Sequence, residues 1–308
     1  MSEKATVLFV DDEERILKSL KILFKSKYNV LTTTDGQEAI AMTKDNDIHV
    51  VVSDQRMPIM QGVDVLRAIK EVSPNTMRIL LTGYSDLAAI VGSVNDGEIF
   101  RYINKPWDRD DLKLTIDKAA EIAVNLSSTT YKSILKSAET EKVSTKHKIL
   151  VIDDAKETLD IIKEIAQDNY EVKWGASLAQ AFAILTEEEI TLVISEIKVA
   201  NEDITLPLKT LKQYHPNTLA IILTSFQDTN ALIDLINRGQ IYRFLPKPIV
   251  KNLLERAVRD AMWHFNFLQK APQLLERHAV EKSPEPTEKN VSSKLLGYLK
   301  SLRDRCAT

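Results

Sequence analysis

The sequence predicts an α/β protein made of two copies of one domain, each a five-stranded parallel sheet with helices on both faces, joined by a long helix. Three observations predict it. Polar landmarks recur at one offset of 142 residues: Asp11-Asp12 as Asp153-Asp154, Ser53-Asp54 as Ser195-Glu196, Leu81-Thr82 as Leu223-Thr224, and Lys105-Pro106 as Lys247-Pro248. Two long, gapless copies mean a duplicated domain, whereas a solenoid needs more and shorter repeats. Within each copy, short apolar runs alternate with stretches of helical spacing. The repeated polar residues fall at the C-terminal ends of the apolar runs, where open α/β sheets bind their ligands.

In the first copy the apolar runs end at Val10, Thr33, Val52, Leu81 and Ile103. They lack an inside-outside alternation, as expected of strands buried on both faces in a parallel sheet. Between them, Ile16, Leu20 and Leu23, and then Val63, Leu66 and Ile69, mark helix faces, while Asp35-Gly36 and Ser85-Asp86 mark helix starts. Five such units in about 110 residues fit the flavodoxin-like doubly wound (βα)5 order. A helical stretch from Asp108 to Ala138, with Leu112, Ile116, Ala119, Ile122, Leu126 and Leu135 on one face, is longer than one domain needs. The expected division is a first domain at 1–125, a helical linker at 126–145, a second domain at 146–271, and a tail at 272–308. That tail opens with the Pro- and charge-rich run E-K-S-P-E-P-T-E-K-N and closes on an amphipathic segment bearing Leu295, Leu299 and Leu302.

With 44% hydrophobic and 28% charged residues, the 308-residue chain has the composition of a globular protein. A net charge of −3 gives no general attraction to nucleic acid or anionic membranes. The single cysteine, Cys306, forms no internal disulfide, and no apolar run is long enough to span a bilayer. The opening M-S-E-K-A-T has no secretory character. A cytoplasmic chain that does not contact the membrane is expected. The histidines have no metal-site spacing, and His264 within M-W-H-F-N-F reads as a packed residue rather than a relay histidine.

Asp11, Asp12 and Asp54 place three carboxylates at neighbouring strand ends, where they repel one another unless a cation sits among them. Oxygen ligands with an open side suit Mg²⁺, which keeps waters and accepts a phosphoryl oxygen. A carboxylate is also a nucleophile toward phosphorus, and phosphoryl transfer needs mainly positioning and charge neutralisation. Asp54, ending the central strand, is the expected acceptor. Asp11 and Asp12 hold the metal with it, helped by the Arg56 carbonyl. Lys105 neutralises the phosphoryl group and Thr82 hydrogen-bonds it.

The motifs V-D-D-E, V-S-D-Q-R-M-P, L-L-T-G and Y-I-N-K-P-W resemble those of response-regulator receiver domains, over residues 5 to about 125. The resemblance implies a histidine kinase as phosphoryl donor, a joint shift of Thr82 and Tyr102 on phosphorylation, and a rebuilt face for a downstream effector. The run F-R-Y-I-N-K-P-W is most similar to receivers of hydrogenase-type transcription regulators or HD-type phosphodiesterases. Tandem receivers of this kind are expected to act through protein contacts and homodimerisation, without catalytic output and without direct DNA binding. Alternatively, the chain is the regulatory part of a transcription regulator or cyclic-dinucleotide enzyme whose output domain lies elsewhere.

The second copy resembles a receiver with departures. Asp153, Asp154, Thr224, Phe244 and Lys247 occupy the matching positions, but the acceptor is Glu196 and R-M-P has become K-V-A. Glutamate reaches one carbon–carbon bond further, about 1.5 Å, which predicts a poor acceptor. Two readings stay open: Glu196 mimics a phosphoaspartate through Lys247, or it marks decay of the site.

Overall fold

The structure is a computed structural model that describes residues 4–83, 99–125, 147–215, 217–224, 235 and 241–270. The chain divides into two compact units, Met1–Ile134 and Leu135–Thr308. In the first unit the elements run β1 (Thr6–Val10), α1 (Glu14–Phe24), β2 (Asn29–Thr33), α2 (Gly36–Asp45), β3 (Val50–Asp54), α3 (Gly62–Val72), β4 (Met77–Thr82), β5 (Arg101–Asn104) and α4 (Arg109–Asn125). Its sheet is entirely parallel, in the order β2-β1-β3-β4-β5.

Strand parity builds the core. Val7, Phe9, Val50, Val52, Ile79 and Leu81 point to one face and pack with Leu17, Leu20 and Phe24 of α1 and Leu112, Ile116 and Ala119 of α4. Residues of the opposite parity, such as Leu8, Val51 and Leu80, are equally buried on the face of α2 and α3. The helix start expected at Asp35-Gly36 is present, with the Asp35 side chain accepting from the backbone N–H groups of Gln37 and Glu38. Val63, Leu66 and Ile69 form the buried face of α3.

Two expectations need correction. β3, β4 and β5 extend one or two residues past the expected ends, to Asp54, Thr82 and Asn104, because ladder pairing carries on through the polar residues (Asp54 opposite Leu81, Thr82 opposite Asn104). The buried stripe of α1 is Leu17, Leu20 and Phe24, with Ile16 and Leu23 at its edge. Phe24 anchors this rotation by packing its ring 5.4 Å from Phe9 and 6.2 Å from Tyr28.

The second unit repeats the plan with β6 (Lys148–Ile152), α5 (Lys156–Ala166), β7 (Glu171–Gly175), α6 (Leu178–Glu187), β8 (Leu192–Glu196), β9 (Lys198–Val199), β10 (Glu202–Asp203), α7 (Thr205–Tyr214), β11 (Leu219–Thr224), β12 (Arg243–Pro246) and α8 (Lys251–Lys270). Its main sheet has the equivalent parallel order β7-β6-β8-β11-β12. The antiparallel β9–β10 ribbon is an addition that the sequence reading did not anticipate. His264 of α8 is buried, its ring 5.2 Å from that of Tyr242, as a packed residue. The expected linker at 126–145, the tail at 272–308 and the helix start at Ser85-Asp86 lie outside the described residues. Among the described residues no helix is long and apolar enough to cross a membrane.

Candidate functional site

In a doubly wound sheet the chain leaves neighbouring strands in opposite directions at the point where the order reverses, and a crevice opens there above the C-terminal ends. In the first unit that point lies between β1 and β3. Asp11 and Asp12 follow β1 directly and Asp54 ends β3, so topology alone brings the three carboxylates together. One potential ligand atom from each lies within 4.8 Å of the others. Asp11 and Asp54 are buried, whereas Asp12 is exposed and opens the cluster to solvent.

Lys105, just beyond β5, bridges the buried pair, with its Nζ 2.8 Å from Asp54 Oδ1 and 3.1 Å from Asp11 Oδ2. Its ammonium also lies 5.5 Å from the Trp107 ring centroid. The remaining Asp11 oxygen accepts the Glu13 backbone N–H at 2.9 Å. Among the described residues Asp12 has no hydrogen-bond or ion-pair partner. Three carboxylates with one ammonium among them leave an excess of negative charge that a divalent cation would offset, so the donor set fits Mg²⁺.

The electrostatics agree. Burial holds the Asp54 carboxyl above its ordinary pKa, opposed by the hydrogen bond and charge of Lys105 and reinforced by the charge of Asp11. For Lys105, burial alone would lower the ammonium, but Asp54 and Asp11 outweigh it and the net shift is upward. Thr82, fully buried at the end of β4, donates its hydroxyl to the Gly83 carbonyl at 3.2 Å. Tyr102 lies inward on β5, and its complete burial raises the phenol well above its usual value. Arg56 is exposed in the loop after β3.

The second unit places its counterparts at the same strand ends, and its lysine bridges the equivalent pair of carboxylates. Lys247 Nζ sits 2.6 Å from Glu196 Oε2 and 3.3 Å from Asp153 Oδ2. Thr224 and Phe244 are buried on β11 and β12, as Thr82 and Tyr102 are on β4 and β5. Sequence reasoning missed Thr158, whose hydroxyl donates to Asp153 Oδ2 at 2.6 Å, and Ala200, whose N–H reaches Asp154 Oδ2 at 3.2 Å. The change from R-M-P to K-V-A was the available signal for Ala200.

The family described as response regulator receiver domain matches residues 7–117 and 149–259, more than half of the chain. The hydrogenase transcriptional regulatory protein HoxA of Cupriavidus necator is 40% identical over 122 residues, which are 39% of this chain and 25% of that protein. The transcriptional regulatory protein GlrR of Escherichia coli is 34% identical over 123 residues, 39% of this chain and 28% of that protein. The matches thus span about a quarter of the length of these curated relatives. A solved signal receiver domain of an HD domain-containing protein from Pseudomonas fluorescens is 34% identical, covering 41% of this chain and 93% of its own with a TM-score of 0.39.

Proposed function

The chain belongs to the response-regulator receiver family in both of its units, and from that premise we propose that it is a phosphorylation-controlled regulator whose acceptor is Asp54. One observation carries this reading: Asp11, Asp12, Asp54 and Lys105 converge at the crevice of the first sheet. The proposed donor is a phosphohistidine of a histidine kinase. An Asp54 carboxylate oxygen attacks phosphorus, the P–N bond breaks, and the imidazole takes up a proton as it leaves. Asp11 and Asp12 would hold Mg²⁺ together with Asp54, and that ion when bound supplies charge neutralisation to the phosphoryl oxygens. Lys105 gives up its contact with Asp54 and pairs with a phosphoryl oxygen, while the Thr82 hydroxyl turns from Gly83 toward another. Tyr102, on the neighbouring strand, follows Thr82 and transmits the change to the surface. The chain itself is proposed to catalyse nothing beyond this self-modification.

Lys105→Ala tests the assignment of roles. It removes the phosphoryl counter-charge without removing a metal ligand. Metal affinity should stay within a few-fold, while transfer from acetyl phosphate should slow on the order of a hundredfold. Loss of metal binding together with transfer would instead make Lys105 a structural part of the metal site.

Output is proposed to run through protein contacts, including homodimerisation by the surface around α4 and β5. Sedimentation velocity with and without beryllofluoride should show the dimer fraction rising on activation. An unchanged monomer at micromolar concentration would exclude a phosphorylation-driven dimer. A second reading takes its motive from the similarity to hydrogenase transcriptional regulatory proteins. In it the downstream effector controls transcription, and a donor-dependent pull-down that recovers such an effector would select it.

A further inference from the structure

We infer that the acidic pocket of the second unit is closed by its own residues and takes no divalent cation, so that the chain binds one metal ion per molecule. The count of one rests on the reading of the first site given above. The closure itself rests on pairs of residues related by the 142-residue offset.

The first pair is Pro58 and Ala200. In the second unit Ala200 and Asn201 have φ of 48° and 64°, which forms the tight turn of the β9–β10 ribbon. That turn aims the Ala200 N–H at Asp154 Oδ2, 3.2 Å away. Proline has no N–H and a φ fixed near −65°, so Pro58 permits neither the turn nor the hydrogen bond. Asp12 in the first unit is left open.

The second pair is Ile16 and Thr158. Thr158, buried in the first turn of α5, donates its hydroxyl to Asp153 Oδ2 at 2.6 Å, and the Ala155 N–H occupies Oδ1 at 2.8 Å. The Ala155 bond matches that of the Glu13 N–H to Asp11, but the Thr158 hydroxyl adds to Asp153 Oδ2 a donor that Asp11 lacks. Ile16 offers Asp11 no donor at all.

The third pair is Asp54 and Glu196. Lys247 holds Glu196 and Asp153 at 2.6 and 3.3 Å much as Lys105 holds Asp54 and Asp11, so what the longer side chain changes is where its carboxylate lies relative to the acidic pair. Among the described residues only Asp11, Asp12 and Asp54 bring three carboxylate ligand atoms within 4.8 Å; Asp153, Asp154 and Glu196 do not. A cation entering the second pocket would have to displace the Thr158 and Ala200 donors, which the first pocket lacks, and draw the carboxylates together. Mg²⁺, which demands near-octahedral geometry and sheds water reluctantly, gains least from such a site. The second unit thus keeps its arrangement whether or not metal and phosphoryl donor are present.

The test counts Mn²⁺ bound to the full-length chain, by electron paramagnetic resonance of the free ion. Tryptophan fluorescence adds the location, because Trp107 lies against Lys105 while the Trp174 indole N–H donates to the Asp153 carbonyl at 2.8 Å. One ion per chain is expected, with quenching lost in Trp107→Phe and retained in Trp174→Phe. Asp12→Asn should bring the count to zero and Asp154→Asn should leave it at one. Two ions in the wild type, or an ion surviving Asp12→Asn that Asp154→Asn then removes, would overturn the closure. A wild type that binds none would instead sink the reading of the first site. The closure is then decided by the variant carrying Thr158→Ile, Ala200→Pro and Glu196→Asp, which gives the second unit the residues of the first. A gain of one ion supports it and no gain in a folded variant overturns it. If that variant does not fold, Thr158→Val with Glu196→Asp replaces it, and a measurable increase in Mn²⁺ affinity is required.

Discussion

Asp54→Asn should abolish phosphoryl labelling of the entire chain, second unit included. Asparagine preserves the shape of the side chain and its place at the end of β3, but its amide is no nucleophile toward phosphorus. Lys105 keeps its contact with Asp11 at 3.1 Å, so the fold of the site should survive. Glu196 is not expected to substitute. Its extra methylene displaces the oxygen from an in-line approach, a misplacement of a kind that costs about a hundredfold for a shift of 1 Å. Intact-mass spectrometry after incubation with acetyl phosphate and Mg²⁺ should show one added phosphoryl group on the wild type and none on the variant. Persistent labelling of Asp54→Asn would mean that another carboxylate accepts, and Glu196 would be the first to examine by Glu196→Gln.

The duplication and the strand order were legible because they rest on local and periodic signals. Gapless recurrence of acidic pairs, Ser-acid, Leu-Thr and Lys-Pro marks both copies and, to within one or two residues, the strand ends that carry chemistry. A capping aspartate such as Asp35 is read from its own neighbours. What escaped was decided by partners distant in sequence. The apolar residues of α1 form a wide stripe, and the packing of Phe24 against Phe9 and Tyr28 favours Leu17 over Ile16 for the core. The departure from R-M-P was visible, but its consequence needs a turn with two positive φ values and a carboxylate 46 residues upstream. Thr158 looked like any polar residue of a helix. Its role appears only when the helix start is laid against the acidic pair.

Gly62→Ala should cost far more stability than one methyl group suggests. Alanine at a helix position ordinarily gains about 0.5–1 kcal/mol over glycine, and Gly62 has no positive φ to penalise the change. The obstacle is proximity. A Cβ on Gly62 would lie 2.0 Å from the Asp54 carbonyl oxygen, 2.8 Å from its carbonyl carbon and 2.9 Å from Leu80 Cδ1. Two of those three atoms are backbone, so no rotamer change relieves the contact. Either the end of β3 or the start of α3 must move, and the Gly62 N–H bond to the Gln55 carbonyl at 3.1 Å ties the two together. Overpacking of this kind costs about 3 kcal/mol, a fall in melting temperature of about 10 °C for a unit of this size. The second unit shows what relief requires: Ile204 stands at the matching position, but there it precedes a helix that begins at Thr205, one residue later than its counterpart. Calorimetry should show the transition of the first unit lowered and that of the second unchanged. Phosphoryl transfer should slow even below the transition, because Asp54 itself is displaced. A melting temperature equal to or above that of the wild type would show that strand and helix separate at little cost, and that Asp54 is not held in place by Gly62.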